Sequence, residues 1–193
     1  MRLTDGPEHG TRYAFRDAHI YYFLTVLNKD RSISRGDISE ITGIGEGSIR
    51  SITDLMRSWR AATVDRTGIR ISEHGIKLLN DIPISLTDIG RSEYVLGTHQ
   101  RGVLIRGGAD RITDGMRQRD KGLVAGADGA SVFVMRNGKV IMPKAWDMDT
   151  RAPEFAKRLR DSGMGEGDAM IICGADEPST AVLSAISVAL DIL

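Results

Sequence analysis

The sequence predicts a mixed α/β (α+β) protein built as two domains. Apolar residues recur at helical spacing three times in the first 80 residues, and a short alternating hairpin pattern follows the third. The second half alternates strand-like runs with helix-like runs, which indicates a layered α/β or α+β arrangement. At 193 residues and 41% hydrophobic content, the chain supports one moderate core or two small ones. The boundaries read as 1–80 for the first domain, 81–92 for a linker with a proline and several polar residues, and 93–193 for the second domain.

The first helix is predicted from Phe15 to Leu27, with Ile20, Phe23, Leu24 and Leu27 forming its apolar stripe. Ser34 then stands three residues before Asp37, a pairing that satisfies the free amides at a helix start. A short second helix with Ile38 and Ile41 inward ends at Gly43.

The stretch "TGIGEGSIRSITDLMRSW" raises the choice between a phosphate cradle and a turn. A dinucleotide cradle needs G-x-G-x-x-G directly after a strand, yet position 48 is serine and a helix precedes the glycines. A phosphate loop of the other common type needs Gly-Lys-Ser/Thr, and the stretch has no lysine. The turn reading remains, with Gly43 ending the second helix in a left-handed conformation. Ile49, Ile52, Met56 and Trp59 then define the buried face of a third helix.

Two helices joined by a short turn, the second bearing small polar and arginine residues outward, make a helix-turn-helix. Ser48, Arg50, Ser51, Asp54 and Arg57 are the candidate DNA-reading residues: small side chains permit close approach to a groove, and guanidinium groups contact phosphates or guanine edges. "ATVDRTGIRIS" reads as two strands around 65–68, with Val64, Ile69 and Ile71 as its apolar members. A hairpin directly after the third helix is the wing of a winged helix, with Arg66 at its tip and Arg70 beside it as phosphate or minor-groove contacts. Ser72 caps a further helix through Ile76, Leu78 and Leu79.

In the second half, 94–96 and 103–105 read as paired strands and 109–126 as a helix with Ile112, Met116 and Leu123 on its apolar side. Asn137-Gly138 between apolar runs is a strong hairpin signal. A helix from Pro153, the buried strand "AMIICG" and a long helix over 178–192 complete the domain. Gly-Ala-Asp occurs three times, ending at Asp110, Asp128 and Asp176. Glycine turns with aspartate helix caps account for the triplets without a ligand. The functional alternative places these loops on one edge of the sheet around a small-molecule pocket. Asp110, Arg117, Arg119, Asp120, Asp176, Ser179 and Thr180 are its candidate ligand-binding residues, the arginines and the start of the last helix suiting an anionic group.

Bulk charge argues for no partner class: 12 basic against 12 acidic residues in 1–90, then 14 against 14. Residues 45–70, however, hold five arginines and three acids. His9, His19, His74 and His99 lack metal-ligand spacing, and no nucleophile elbow or paired-carboxylate signature is present. No metal, cofactor or catalytic residue is therefore assigned. The single Cys173, at the end of an apolar strand, reads as a buried, inert thiol. No signal-like N-terminus or membrane-length apolar run is present, so a cytoplasmic protein is expected.

"TGIGEGSIRSITDLM" followed by "RTGIRISEHGIKLL" resembles the winged-helix half of archaeal transcription regulators. With "DGMRQRDKGLVAGADGASVFVMRNGKVIMP" added, the chain from 15 to about 190 resembles archaeal proteins that join a winged helix to a C-terminal domain of unknown function. The expected function is a DNA-binding transcriptional regulator. Residues 47–58 enter the major groove of double-stranded DNA, and the second domain senses a small-molecule effector or forms a homodimer that pairs two half-sites. The alternatives are an enzyme with a winged-helix docking appendage, and a winged-helix protein-interaction module.

Overall fold

A computed structural model describes residues 3, 4, 15–144 and 146–193; His9 lies outside the described residues. The chain divides into two compact units that meet at Ile82 and Pro83.

The first unit is a winged helix. Its elements are α1 (Asp17–Val26), α2 (Arg35–Thr42), α3 (Glu46–Ser58), the antiparallel hairpin β1 (Ala62–Asp65) and β2 (Gly68–Ile71), and α4 (Glu73–Asp81). Ser34 caps α2 by accepting from the Asp37 amide, and Ser72 caps α4 by accepting from the Gly75 amide. Gly43 closes α2 in the left-handed region, at φ 66°. Ile20, Phe23, Ile38, Ile49, Ile52 and Met56 fill the core where the three helices meet, and Ile69 and Ile71 of β2 close it from below. Ile33 makes an isolated antiparallel bridge to Ile69 beside the two-stranded wing sheet.

Two apolar expectations fail here for geometric reasons. The inward stripe of α2 is Ile38 and Thr42, with the Thr42 hydroxyl donating to the Ile38 carbonyl, so Ile41 is left exposed. Val64 is exposed because β1 forms the outer edge of the wing and only Ala62 reaches the core.

Gly75 has no room for a side chain. A Cβ there would run into the Ala61 carbonyl, which the Ser72 amide holds in place, and would lie 2.8 Å from Ile71 Cγ1. A helical Gly→Ala change ordinarily stabilises by up to about 1 kcal/mol. Gly75→Ala is expected to reverse that sign and cost about 1–2 kcal/mol. Thermal unfolding followed by far-UV circular dichroism checks it.

The second unit is a six-stranded antiparallel sheet in the order β3-β4-β8-β5-β6-β7. Its strands are β3 (Ile84–Thr87), β4 (His99–Ile105), β5 (Gly129–Arg136), β6 (Lys139–Met142), β7 (Trp146–Asp147) and β8 (Ala169–Ala175). Helices α5 (Met116–Val124) and α8 (Pro178–Ile192) cover one face. α6 (Met148–Arg151) and α7 (Pro153–Asp161) serve the other, where Phe155 and Leu159 pack on Leu104, Phe133 and Met170. β8, central and buried on both faces, reads as an unbroken apolar run for that reason. The β5–β6 hairpin turns at Asn137 and Gly138, both at positive φ.

Three local expectations are corrected. The 81–92 stretch is not a free linker: Asp81 ends α4, and β3 pairs along its whole length with β4. Residues 94–96 form no strand, and the partner of 103–105 is instead β3 on one side and β8 on the other. The helix expected over 109–126 is a single 3-10 turn at Ala109–Arg111 followed by α5. Met116 and Leu123 on α5 are exposed, whereas Ile112 is buried.

Candidate functional site

In the winged helix, α3 buries Ile49, Ile52, Thr53 and Met56, which forces the opposite side outward. Arg50, Ser51, Asp54 and Arg57 are exposed on that side and Ser48 is half-buried. A cleft of about 340 Å³ separates it from the wing and is lined by Arg50, Asp54 and Arg57 of α3 and by Arg66 and Thr67 of the wing. Ser34 and Arg35, at the start of α2, also line it, as do Thr53 of α3 and Val64, Asp65, Gly68 and Ile69 of the hairpin.

The expected DNA-facing residues divide by their partners. Among the described residues, Arg35, Arg50 and Arg66 have no ion-pair partner, and Arg57 has a long one, 3.9 Å from Asp54. Arg70 is engaged: it donates to Asp65 at 2.6 Å, beneath the wing tip. Asp65 also accepts from the Thr67 hydroxyl and from the amides of Thr67 and Gly68, and these bonds, the hydroxyl's first, hold its carboxyl below the usual range. Ser51 donates within its own helix to the Gly47 carbonyl. Arg35 was missed as a site residue because the sequence marks it only as the first position after a helix cap; its place in the cleft depends on how α2 meets α3.

The candidate ligand residues of the second unit are not gathered in one place. β4 and β8 are antiparallel, with His99 opposite Ala175 and Ile105 opposite Ala169. Loops that follow these two strands therefore leave from opposite ends of the sheet, which separates Asp110 from Asp176. None of the three triplet aspartates caps a helix: Asp110 lies in the 3-10 turn, Asp128 precedes β5, and Asp176 accepts from the Thr98 hydroxyl. Arg117 pairs with Asp191 at 3.3 Å, and Lys121 reaches the same carboxylate at 2.7 Å, which keeps the Asp191 carboxyl below its ordinary range. Asp120 is exposed, and Ser179 and Thr180 are half-buried in the first turn of α8. Of the candidate set, only Arg119 lines a partly enclosed cavity of this unit.

That cavity, of about 600 Å³, lies between the 93–96 segment, the start of α5, the first half of β5 and the residues Met142, Pro143 and Trp146. Tyr94, Met116, Val132 and Trp146 supply its apolar walls. Tyr94 belongs to an aromatic cluster, 5.1 Å from Phe155 and 6.3 Å from Trp146 between ring centres. Arg151 stacks over Trp146 at 4.1 Å. Cys173 plays no part in it: the thiol is fully buried, and burial pushes its pKa up to about 12.

Fold and clefts together define a two-unit α+β protein, a winged helix followed by a six-stranded antiparallel sheet domain. Residues 96–192, half of the chain, match the family described as a domain of unknown function, DUF4443, and the chain belongs to that family. No curated protein matches the chain. A solved structure of a hypothetical protein from the archaeon Pyrococcus horikoshii OT3 is similar over 92% of each chain, at 20% sequence identity and a TM-score of 0.71. That likeness extends across both units and concerns the fold. Among the described residues, no helix is long and apolar enough to cross a membrane.

Proposed function

We propose that the protein is a cytoplasmic DNA-binding transcriptional regulator. The winged helix lays α3 in the major groove, with Arg50 and Arg57 on phosphates or guanine edges and Arg66 of the wing against the neighbouring backbone or minor groove. The α+β unit senses a small molecule and contributes to a homodimer, which doubles the few base pairs that a single helix reads. An effector acts by binding one arrangement of the two α3 helices better than the other.

The observation that carries this reading is the lining of the α3–wing cleft. Four arginines, Arg35, Arg50, Arg57 and Arg66, converge there. Three have no ion-pair partner among the described residues, and the fourth has only a 3.9 Å one. Guanidinium groups left unpaired around one groove in a chain of zero net charge are a localised anion-binding surface.

The test is binding to duplex DNA from the protein's own upstream region, against random duplex, across a salt series. Four phosphate contacts per chain predict a log–log salt slope of about −4 per subunit. Tighter binding to the upstream duplex with that slope supports the regulator. Failure of both duplexes to bind at low salt, with and without cell-extract small molecules, removes it.

A further inference from the structure

The 600 Å³ cavity of the α+β unit falls within the size range of small-molecule sites. Its walls leave large apolar side chains uncovered: Leu96 is 72% exposed, Met116 50% and Trp146 41%. Such surface, gathered around one concavity, marks a place where something apolar is accommodated.

Charges of both signs line it. Asp114 is satisfied, since it accepts from the Met116 amide at 3.1 Å and pairs with Lys144 at 3.5 Å. Among the described residues, the side chains of Arg119 and Asp128 have no hydrogen-bond or ion-pair partner, and Glu93 and Arg151 have no ion pair. Arg151 rests on the Trp146 ring, and the Glu93 carboxylate lies beside the Tyr94 hydroxyl. Two carboxylates and two guanidinium groups therefore line one largely apolar cavity without an ion-pair partner among the described residues.

A third feature is a strand edge. The β5–β6 ladder ends at the Val134–Ile141 pair, while β5 continues to pair with β8 as far as Gly129. The Met135 amide and carbonyl both bond on the β8 side, to Asp168 and Gly167. By alternation along the strand, the amide and carbonyl of Val132 point the other way, beyond the end of β6 and toward the cavity. The 93–96 segment that walls this space is itself fixed. Gln100 holds Ser92 and the Val95 carbonyl, Ser131 donates to the Tyr94 carbonyl at 2.6 Å, and Gly129 and Gly174 lack the Cβ that Leu96 would strike.

We propose that this cavity binds a free α-amino acid with a bulky apolar side chain. An apolar wall takes the side chain, a guanidinium takes the carboxylate, a carboxylate takes the ammonium, and the Val132 edge offers one donor and one acceptor to the two groups on the same carbon. A purely anionic or purely cationic ligand answers only one of the two kinds of charge at the cavity's rim. The proposal deepens the sensor reading and names its effector class, but binding itself needs no DNA.

Trp146 is one of two tryptophans, so a Trp59→Phe variant of the full chain makes it the sole reporter of the cavity. The probes are L-phenylalanine, its amide, which lacks the carboxylate, and 3-phenylpropionate, which lacks the ammonium. Saturable change with L-phenylalanine at a Kd below about 1 mM, and at least about tenfold weaker binding of both analogues, is the expected result. Arg119→Gln and Asp128→Asn, both on exposed residues, are expected to erase the preference over the amide and over the propionate respectively. Calorimetry on the unaltered chain gives the same reading without the Trp59 substitution. Absence of saturation, equal binding of all three probes, or a Trp146 signal that follows protein concentration instead overturns the site. Amino-acid binding that leaves the duplex affinity unchanged keeps the site and removes the sensor reading; duplex binding without amino-acid binding does the reverse.

Discussion

Replacement of both Arg50 and Arg57 by alanine is expected to weaken duplex binding by about 100-fold, because each arginine contact to phosphate or base is worth about 1–3 kcal/mol. The salt slope should flatten by about 2 per subunit at the same time, since two fewer counterion-releasing contacts remain. Both side chains are exposed on α3, and among the described residues the only ion pair lost is the 3.9 Å contact of Arg57 with Asp54 between groups that are each more than half exposed. Such pairs contribute little to stability, so the melting temperature should stay within the error of the parent's. Lys77→Ala removes an exposed charge from α4, outside the cleft, and should leave binding intact. This contrast separates a reading surface from general charge attraction. A double variant that binds as tightly as the parent would sink the assignment of α3.

The first unit was legible because its signals are local. Ser34 and Ser72 cap the helices they precede, Gly43 adopts the left-handed turn, and Ile49, Ile52 and Met56 keep helical spacing on a face that the core then buries. In the second unit, local pattern identified β5, β6, β8 and α8 but could not assign partners. Residues 94–96 look like a strand in isolation, yet Gln100 and Ser131 bond their backbone as an irregular segment. Likewise 84–87 looks like a linker until β4 presents an edge for it. The candidate ligand set failed for a topological reason. Repeated Gly-Ala-Asp triplets after strands mark one end of a sheet only if the strands are parallel, and every pairing in this sheet is antiparallel. Pairing direction is a long-range property that no residue in a triplet encodes. Arg35 shows the same limit at the level of one side chain.

The most damaging single change in the α+β unit is expected at Asp168. Its side chain is only 8% exposed and accepts three hydrogen bonds: from Arg106 at 2.6 Å and from the Gly107 and Gly165 amides at 3.0 Å each. These donors come from the segment leaving β4 and from the turn entering β8, and the Asp168 carbonyl also accepts from Met135 at the end of β5. One residue thus joins the three central strands where β8 begins. Asp168→Ala strips the acceptor from two amides that have no route to another partner without moving the turn, and a cost of about 3 kcal/mol is expected. Asp168→Asn retains one oxygen and the shape but turns an amide group toward a donor, so an intermediate loss follows. Arg106→Ala should cost least, about 1 kcal/mol or below, because the guanidinium is 56% exposed and leaves the carboxylate with both backbone donors. Urea unfolding followed through Trp146 fluorescence in the Trp59→Phe background reads this unit alone. The order Ala, Asn, then Arg106→Ala identifies the carboxylate as an organiser of the backbone rather than as half of an ion pair. Equal shifts for Asp168→Ala and Arg106→Ala would assign the stability to the ion pair instead.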